Sequence, residues 1–174
     1  MARRLLVFDA PDRFVAGTIG EPGDRTFFLQ ARKGSAIASV VLEKVQVAAL
    51  AARLDDLLTA VDSPVTPEAP VDDAPLDEPL VELFRVGAMA IAWDPEAERV
   101  VIEAQPQSED GDFVEVPDEA EEGPDMVRVR IDRSQARAFV RRAIAVVAAG
   151  RPTCPFCGQP LEQGGHFCPR VSLN

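Results

Sequence analysis

The thiol and imidazole side chains of this 174-residue chain all lie near its C-terminus, at Cys154, Cys157, His166 and Cys168. Three thiolates and one imidazole are a complete ligand set for tetrahedral zinc, and four protein ligands leave no open position for a catalytic water. If His166 is not a ligand, a site of three thiolates has a vacant position. A segment this short cannot build its own hydrophobic core, so the metal would hold it folded. The sequence therefore predicts a structural zinc knuckle within residues 151–174.

The residues around the cysteines are typical of such a knuckle. Residues 154–158 read Cys-Pro-Phe-Cys-Gly, and the glycine lets backbone amides donate hydrogen bonds to the thiolates. His166 and Cys168 are two residues apart, which suits an extended segment because alternate side chains share one side. The alternatives are a disulfide or three unrelated thiols. Three cysteines cannot all pair, and nothing at the N-terminus resembles a secretory signal, so we expect reduced thiols in a cytoplasmic protein.

Hydrophobic periodicity predicts two strand-strand-strand-helix units within residues 1–150. Short apolar runs separated by turn signals indicate strands, and apolar residues at three- and four-residue intervals indicate helices. The predicted strands are residues 3–9, 13–20, 25–32, 35–42, 81–93, 99–105 and 126–132, and the predicted helices are residues 44–61 and 134–149. Residues 113–116 fit a short edge strand.

The two halves are similar where a strand leads into a helix. Residues 41–46 (VLEKVQ) run parallel to residues 130–135 (RIDRSQ). In that register Gln46, Ala49 and Arg53 align with Gln135, Ala138 and Arg142. We therefore expect an internal duplication, with the first strand added in front and the halves paired about a pseudo-twofold axis. The predicted fold class is α+β, a mainly antiparallel sheet or curled barrel with both helices packed against it.

Two acidic segments account for the net charge of −11. Residues 62–79 contain six acids, five prolines and no base, and residues 103–125 contain ten acids and no base. Removing these sixteen acids leaves thirteen against eighteen basic residues, so the rest of the chain is net basic. The composition of residues 62–79 cannot pack a core and predicts a flexible or extended loop, and that of residues 103–125 predicts a disordered acidic loop. No apolar run approaches the length of a membrane span.

Five arginines near the second predicted helix form a candidate binding face. Arg128 and Arg130 alternate on one face of a strand, and Arg133, Arg137 and Arg141 recur every fourth residue of the helix. Guanidinium groups suit phosphates, so we expect a phosphate-bearing or protein partner. The alternative is an ordinary solvated surface, partly neutralised by the acidic loops. The absence of interleaved tyrosine or tryptophan disfavours single-stranded nucleic acid, because base stacking needs aromatic rings.

The sequence contains few features of a catalytic site. Asp9 and Asp12 follow the apolar residues 5–8 of the first strand, but no further phosphotransferase motif accompanies them, and Asp12 suits a turn. With His166 committed to zinc no imidazole remains as a general base, and no glycine-rich phosphate loop occurs. The leading interpretation is a noncatalytic, zinc-containing binding or adaptor protein. The alternatives are a metal-assisted enzyme of phosphate metabolism and a nucleic-acid-binding protein.

Two stretches of the chain contain motifs that are similar to those of a known protein family. Residues 5–9 (LLVFD) lead into residues 13–18 (RFVAGT), and residues 150–158 (GRPTCPFCG) precede residues 165–170 (GHFCPR). In these motifs the sequence resembles the DUF3090 family of hypothetical proteins from high-GC bacteria. The resemblance covers the whole chain and is most specific in the zinc-ribbon-like tail. It implies no established activity, so it assigns no catalytic residue.

Overall fold

The computed structural model of the protein describes residues 2–21, 23–61, 69–149 and 155–157. Its strands are β1 (Leu5–Asp9), β2 (Arg13–Ile19), β3 (Thr26–Lys33), β4 (Ala36–Leu42), β5 (Glu82–Asp94), β6 (Arg99–Pro106) and β7 (Met126–Ile131), and its helices are α1 (Lys44–Val61) and α2 (Arg133–Ala148). Each of these elements begins and ends within two residues of its prediction. Residues 113–116 are not a strand, so that prediction is wrong.

The strands form one seven-stranded mixed sheet in the order β1-β7-β6-β5-β4-β3-β2. Consecutive strands of each half pair antiparallel, as predicted. Two further pairs are parallel: β4 lies beside β5, and β1 lies beside β7. Between β4 and β5 the chain passes through α1, and such a crossover brings a chain back to the sheet in its original direction. The fold is therefore α+β, as predicted, but its sheet is mixed.

The sheet curls strongly without closing into a barrel. β1 and β2 lie at opposite ends of the strand order, yet only residues 10–12 join them. A flat sheet of seven strands would hold its edges roughly 29 Å apart, whereas the chain from Asp9 to Arg13 reaches at most about 15 Å. The two edges must therefore approach each other. No hydrogen-bonded ladder joins β1 to β2 in the part of the chain that the structure describes, so of the two predicted alternatives, an open sheet or a barrel, the barrel is wrong.

The turn between β1 and β2 is held against the β3–β4 turn. The Asp12 carboxylate accepts a hydrogen bond from the backbone amide of Gly34 at 2.7 Å, which is the turn role expected for this aspartate. Lys33 Nζ donates to the carbonyl oxygen of Asp9 at 2.6 Å. These contacts fix the position at which the chain passes from one edge of the sheet to the other.

One hydrophobic core fills the inside of the curl. Alternate side chains of the strands point inward and meet the apolar sides of both helices. The buried residues of α1 include Val47, Leu50, Leu54 and Leu58, and those of α2 include Ala136, Phe139, Val140 and Ala143. Phe139 stacks on Phe14 of β2 with ring centroids 4.6 Å apart. α2 thus follows β7 in the chain but packs on β2 at the other edge, which is possible only because the sheet curls.

The predicted zinc knuckle lies outside the described residues except for a turn at residues 155–157. Across the described ranges, neither helix is long and apolar enough to cross a membrane.

Candidate functional site

Cys157 is the one predicted zinc ligand within the described residues. It is partly buried, in the turn of residues 155–157. Cys154, His166 and Cys168 lie outside the described residues, so the zinc site stays a prediction. Within residues 2–21, 23–61, 69–149 and 155–157, no three acidic, thiol or imidazole side chains lie close enough together to hold a metal ion.

Arg128 is held by the protein's own carboxylates. It is 7% exposed on β7, and its Nη1 and Nη2 atoms donate to the two Asp118 oxygens at 3.0 and 2.8 Å. Its Nε donates to Glu103 at 3.1 Å. The hydrogen bonds from Arg128 lower the pKa of the Asp118 carboxyl, and the same pair raises the pKa of Arg128 against the cost of burial. Arg128 therefore lies beneath the protein surface instead of on an open face.

The other four arginines of the candidate face lie further out. Arg130 Nη1 is 3.5 Å from an oxygen of Asp9. Arg133 lies 4.8 Å above the ring centroid of Trp93 and donates to Glu98 at 3.2 Å. Along the outer side of α2, Arg137 is half-buried and Arg141 is exposed. The structure therefore separates Arg128 from Arg133, Arg137 and Arg141, which share one side of the helix.

Residues 69–79 and 107–125 of the two acidic segments are bound to the outer face of the sheet, which the sequence did not predict. We call residues 69–79 the first strap and residues 107–125 the second strap. In the first strap Asp72 accepts hydrogen bonds from Nε and Nη2 of Arg13, and Arg13 also donates to the carbonyl oxygens of Ala74 and Pro75, each at 2.8 Å. Specific contacts therefore fix both straps in place, whereas the sequence predicted a flexible or extended loop over residues 62–79 and a disordered acidic loop over residues 103–125.

Arg142 of α2 holds the same strap from the other side. Its Nη1 donates to the carbonyl oxygens of Asp72 and Ala74, each at 2.7 Å, and its Nε donates to the carbonyl oxygen of Ala16 on β2 at 2.7 Å. Burial lowers the pKa of Arg142, and the nearby Asp72 carboxylate opposes that shift. Arg13, through its side-chain hydrogen bonds, is the main cause that lowers the pKa of Asp72. One carboxylate thus joins two buried guanidinium groups.

A buried glutamine ties each strap to the middle strand of its half. Gln30 of β3 donates from Nε2 to the carbonyl oxygen of Asp77 at 2.9 Å and accepts from the Asp77 amide at 2.7 Å. Gln105 of β6 does the same with Val114, at 2.6 and 2.9 Å. A side-chain amide offers one donor and one acceptor side, so it pairs with a strap peptide as a neighbouring strand would. Both straps are therefore held by the same reciprocal pair of hydrogen bonds to a buried glutamine.

Two cavities adjoin the straps. One of about 400 Å³ lies between the first strap and the start of α2, and Arg13, Asp72, Gln135 and Arg142 are among its walls. The other, of about 570 Å³, lies beneath the second strap, and its walls include Arg128 and Glu103. Arg130 does not line either of these two cavities. The arginines of the candidate face therefore do not converge on a single pocket.

Comparison with known proteins assigns a family without an activity. Neither the curated proteins nor the solved structures include a significant match to this chain. A family model described as a protein of unknown function (DUF3090) matches residues 6–168. The matched range contains both helices, both straps and all four predicted zinc ligands. The chain therefore belongs to the DUF3090 family of proteins of unknown function.

Proposed function

We propose that this protein is a noncatalytic binding or adaptor protein. The outer side of α2 would contact a protein or a phosphate-bearing partner, and the C-terminal tail would carry a structural zinc ion. The observation that supports the proposal is the division of α2 into two sides. Its inner side is buried against the core, and its outer side carries Arg133, Arg137 and Arg141 at four-residue spacing.

The contact surface proposed here differs from the predicted face by one residue. We define the arginine face as Arg130, Arg133, Arg137 and Arg141. Arg128 is left out because it is only 7% exposed, with its guanidinium enclosed by Asp118 and Glu103. A rigid helix fixes the spacing of these guanidinium groups, and their planar donors match carboxylates and phosphates.

The tail would extend this surface. α2 ends at Ala148, and the predicted zinc unit begins only a few residues later, at residue 151. A metal-bound tail would therefore emerge from the same helix that carries the arginine face. Arg151 and Arg170 flank the predicted ligands in the sequence and would add further positive charge.

Partner capture with two matched triple variants tests the proposal. The full-length protein would be used to capture partners from native lysate, with quantitative mass spectrometry as the readout. The first variant replaces Arg133, Arg137 and Arg141 with serine. The control replaces Arg53, Arg85 and Arg99, which removes the same charge from α1, β5 and β6. We expect the first variant to lose the captured partner and the control to keep it. Equal capture by both variants would contradict the proposed face.

We also propose that the two halves arose by internal duplication. β5 pairs parallel with β4 through its first residues and antiparallel with β6 through the rest. β1 and β2 repeat this pattern when taken together, since β1 pairs parallel with β7 and β2 antiparallel with β3. In this correspondence β1, the added first strand, matches the start of β5. The two halves would then be related by a rotation about the axis around which the sheet curls.

The first turns of the two helices support the same correspondence. Gln46 of α1 donates from its side chain to the carbonyl oxygen of Val86 at 3.1 Å, and Gln135 of α2 donates to that of Pro11 at 3.2 Å. Each helix is thus tied to the opposite half at its start. The test is an experimental structure in which residues 5–61 are superposed on residues 82–149. A failure of the seven strands to overlay in this order would contradict a duplication.

A further inference from the structure

The cavity beneath the second strap has the size of a small-molecule site. Its volume of about 570 Å³ falls within the range of roughly 300–1,000 Å³ that such sites occupy. Its floor is the outer face of the sheet, where the small side chains of Ala90, Ala92 and Val101 leave a shallow trough. Phe113, Val116 and Pro117 of the second strap form the opposite wall.

At Leu76 the first strap leaves no gap above β2, and the cavity of about 400 Å³ beside this strap lies towards the start of α2. Leu76 of the first strap lies directly on Gly17, and a Cβ atom added to that glycine would be 2.6 Å from the leucine Cδ2. The first strap therefore packs flush against the sheet at this point. A buried glutamine holds each strap by the same pair of hydrogen bonds. The cavity under the second strap therefore does not result from the way in which that strap is attached.

Two anchors keep the second strap above its cavity. Gln105 binds the strap at Val114, and Arg128 binds it at Asp118. The three residues between these anchors, at positions 115–117, all line the cavity. The strap is therefore fixed on both sides of the open space, which gives the cavity a formed roof.

The charges that line the cavity favour a cation. Glu103 and Glu115 contribute two carboxylates, and Arg128 contributes one guanidinium. Asp118 also pairs with that guanidinium, so the lining and its anchor have more negative than positive charge. An anionic ligand would be repelled here, whereas a cation would gain an ion pair in a partly desolvated setting.

We propose that this cavity binds a small organic cation, with one ammonium or guanidinium group on an apolar body. The apolar body would lie between the alanine floor and Phe113. The charged group would pair with Glu115 and Glu103. This site is separate from the arginine face and takes a ligand of opposite charge.

Three probes of similar shape and different charge test the class of ligand. They are 2-phenylethylammonium, the neutral 2-phenylethanol and the anionic 3-phenylpropanoate, each titrated into the full-length protein by calorimetry and ligand-observed NMR. We expect saturable binding of the ammonium, roughly tenfold or more tighter than that of the alcohol. Equal binding of the alcohol, tighter binding of the carboxylate, or no saturable binding of any probe would overturn the proposal.

Substitutions locate the site. Ala90→Leu fills the floor and should abolish binding of the ammonium, and Ala92→Leu does so from a more exposed position if the first variant folds poorly. Glu115→Gln should reduce ammonium binding to the level of the alcohol. The matched control is Glu119→Gln, which removes the same charge from an exposed residue of the same strap outside the cavity. Unchanged binding in both alanine variants, or equal losses in the two glutamine variants, would overturn the assignment.

Discussion

Gln30 and Asp77 exchange a reciprocal pair of hydrogen bonds that joins the first strap to the middle of the sheet. Gln30 is only 1% exposed, and its Nε2 atom is also 3.1 Å from Ser39 Oγ. Both donor hydrogens of the side-chain amide are therefore used, and its oxygen accepts from the strap amide. An acidic, proline-rich segment is held here by a neutral contact in the interior.

Replacing Gln30 with leucine should destabilise the protein by about 2 kcal/mol, because the Asp77 peptide and Ser39 would lose their buried partner. Urea unfolding at neutral pH measures the change. Gln107→Leu is the control, since Gln107 is an exposed glutamine at the start of the second strap. A stability equal to that of the control would show that water replaces the lost contacts.

Arg142→Met should cost about 3 kcal/mol, since three backbone carbonyls and Asp72 lose a buried charged donor. The control is Arg53→Met on α1, which occupies the aligned position in the first half and is exposed. Its effect should be within about 0.5 kcal/mol of zero. Comparable losses in the two variants, measured by denaturant unfolding, would contradict the anchoring role of Arg142.

Acid should weaken the first strap through Asp72. Hydrogen bonds from Arg13 lower the pKa of Asp72 below the ordinary 3.8 in the folded protein. The stabilisation is therefore complete above the unfolded-state pKa, and it is lost as the pH falls through the folded-state pKa. Asp72→Asn should reduce stability at pH 7 and flatten the decline below about pH 4.

Asp73→Asn is the matched control for this pH dependence, because Asp73 is the exposed neighbour of Asp72. It should keep the wild-type slope of unfolding free energy against pH. A residual slope is expected in Asp72→Asn, since Arg128 and Arg4 also lower the pKa values of Asp118 and Asp125. Identical acid profiles for wild type and Asp72→Asn would refute the assignment.

Reduced, purified protein should contain stoichiometric zinc, measured by elemental analysis. Cys154→Ser and His166→Gln should each lower the zinc content, because each removes one of four proposed ligands. Chelation should make residues 150–174 sensitive to protease while amide exchange in the sheet stays unchanged, and added zinc should restore protection. Zinc-free protein with a fully protected tail would contradict a structural metal.

Hydrophobic periodicity predicted the bounds of the helices and strands well, but it did not predict which strands pair with each other. The helix over residues 44–61 was predicted with the bounds that the structure has. The parallel pair of β4 and β5 was not predicted, because alternation of polar and apolar residues says which face is buried and not which strand lies alongside. The parallel pairing of β1 with β7, which brings the two sheet edges together, was not predicted for the same reason.

The residues that anchor the straps could have been recognised in the sequence as polar residues at buried positions. Gln30 interrupts the apolar run of residues 27–31, and Arg13 directly precedes that of residues 14–17; a strand buried on both faces needs a partner for each such polar group. Arg142 lies three residues after Phe139, so it shares the side of α2 that faces the core. Which segment would supply the partners depends on long-range contacts that composition does not encode.

The pairing of β1 with β7 constrains the order in which the parts of the domain can fold. Leu5 and Met126 are register partners, although more than a hundred residues separate them in the chain. Contacts between such distant residues slow folding, because the chain must close a long loop before they form. On the ribosome, β1 emerges long before its partner is made, so its docking must be among the last steps of assembly.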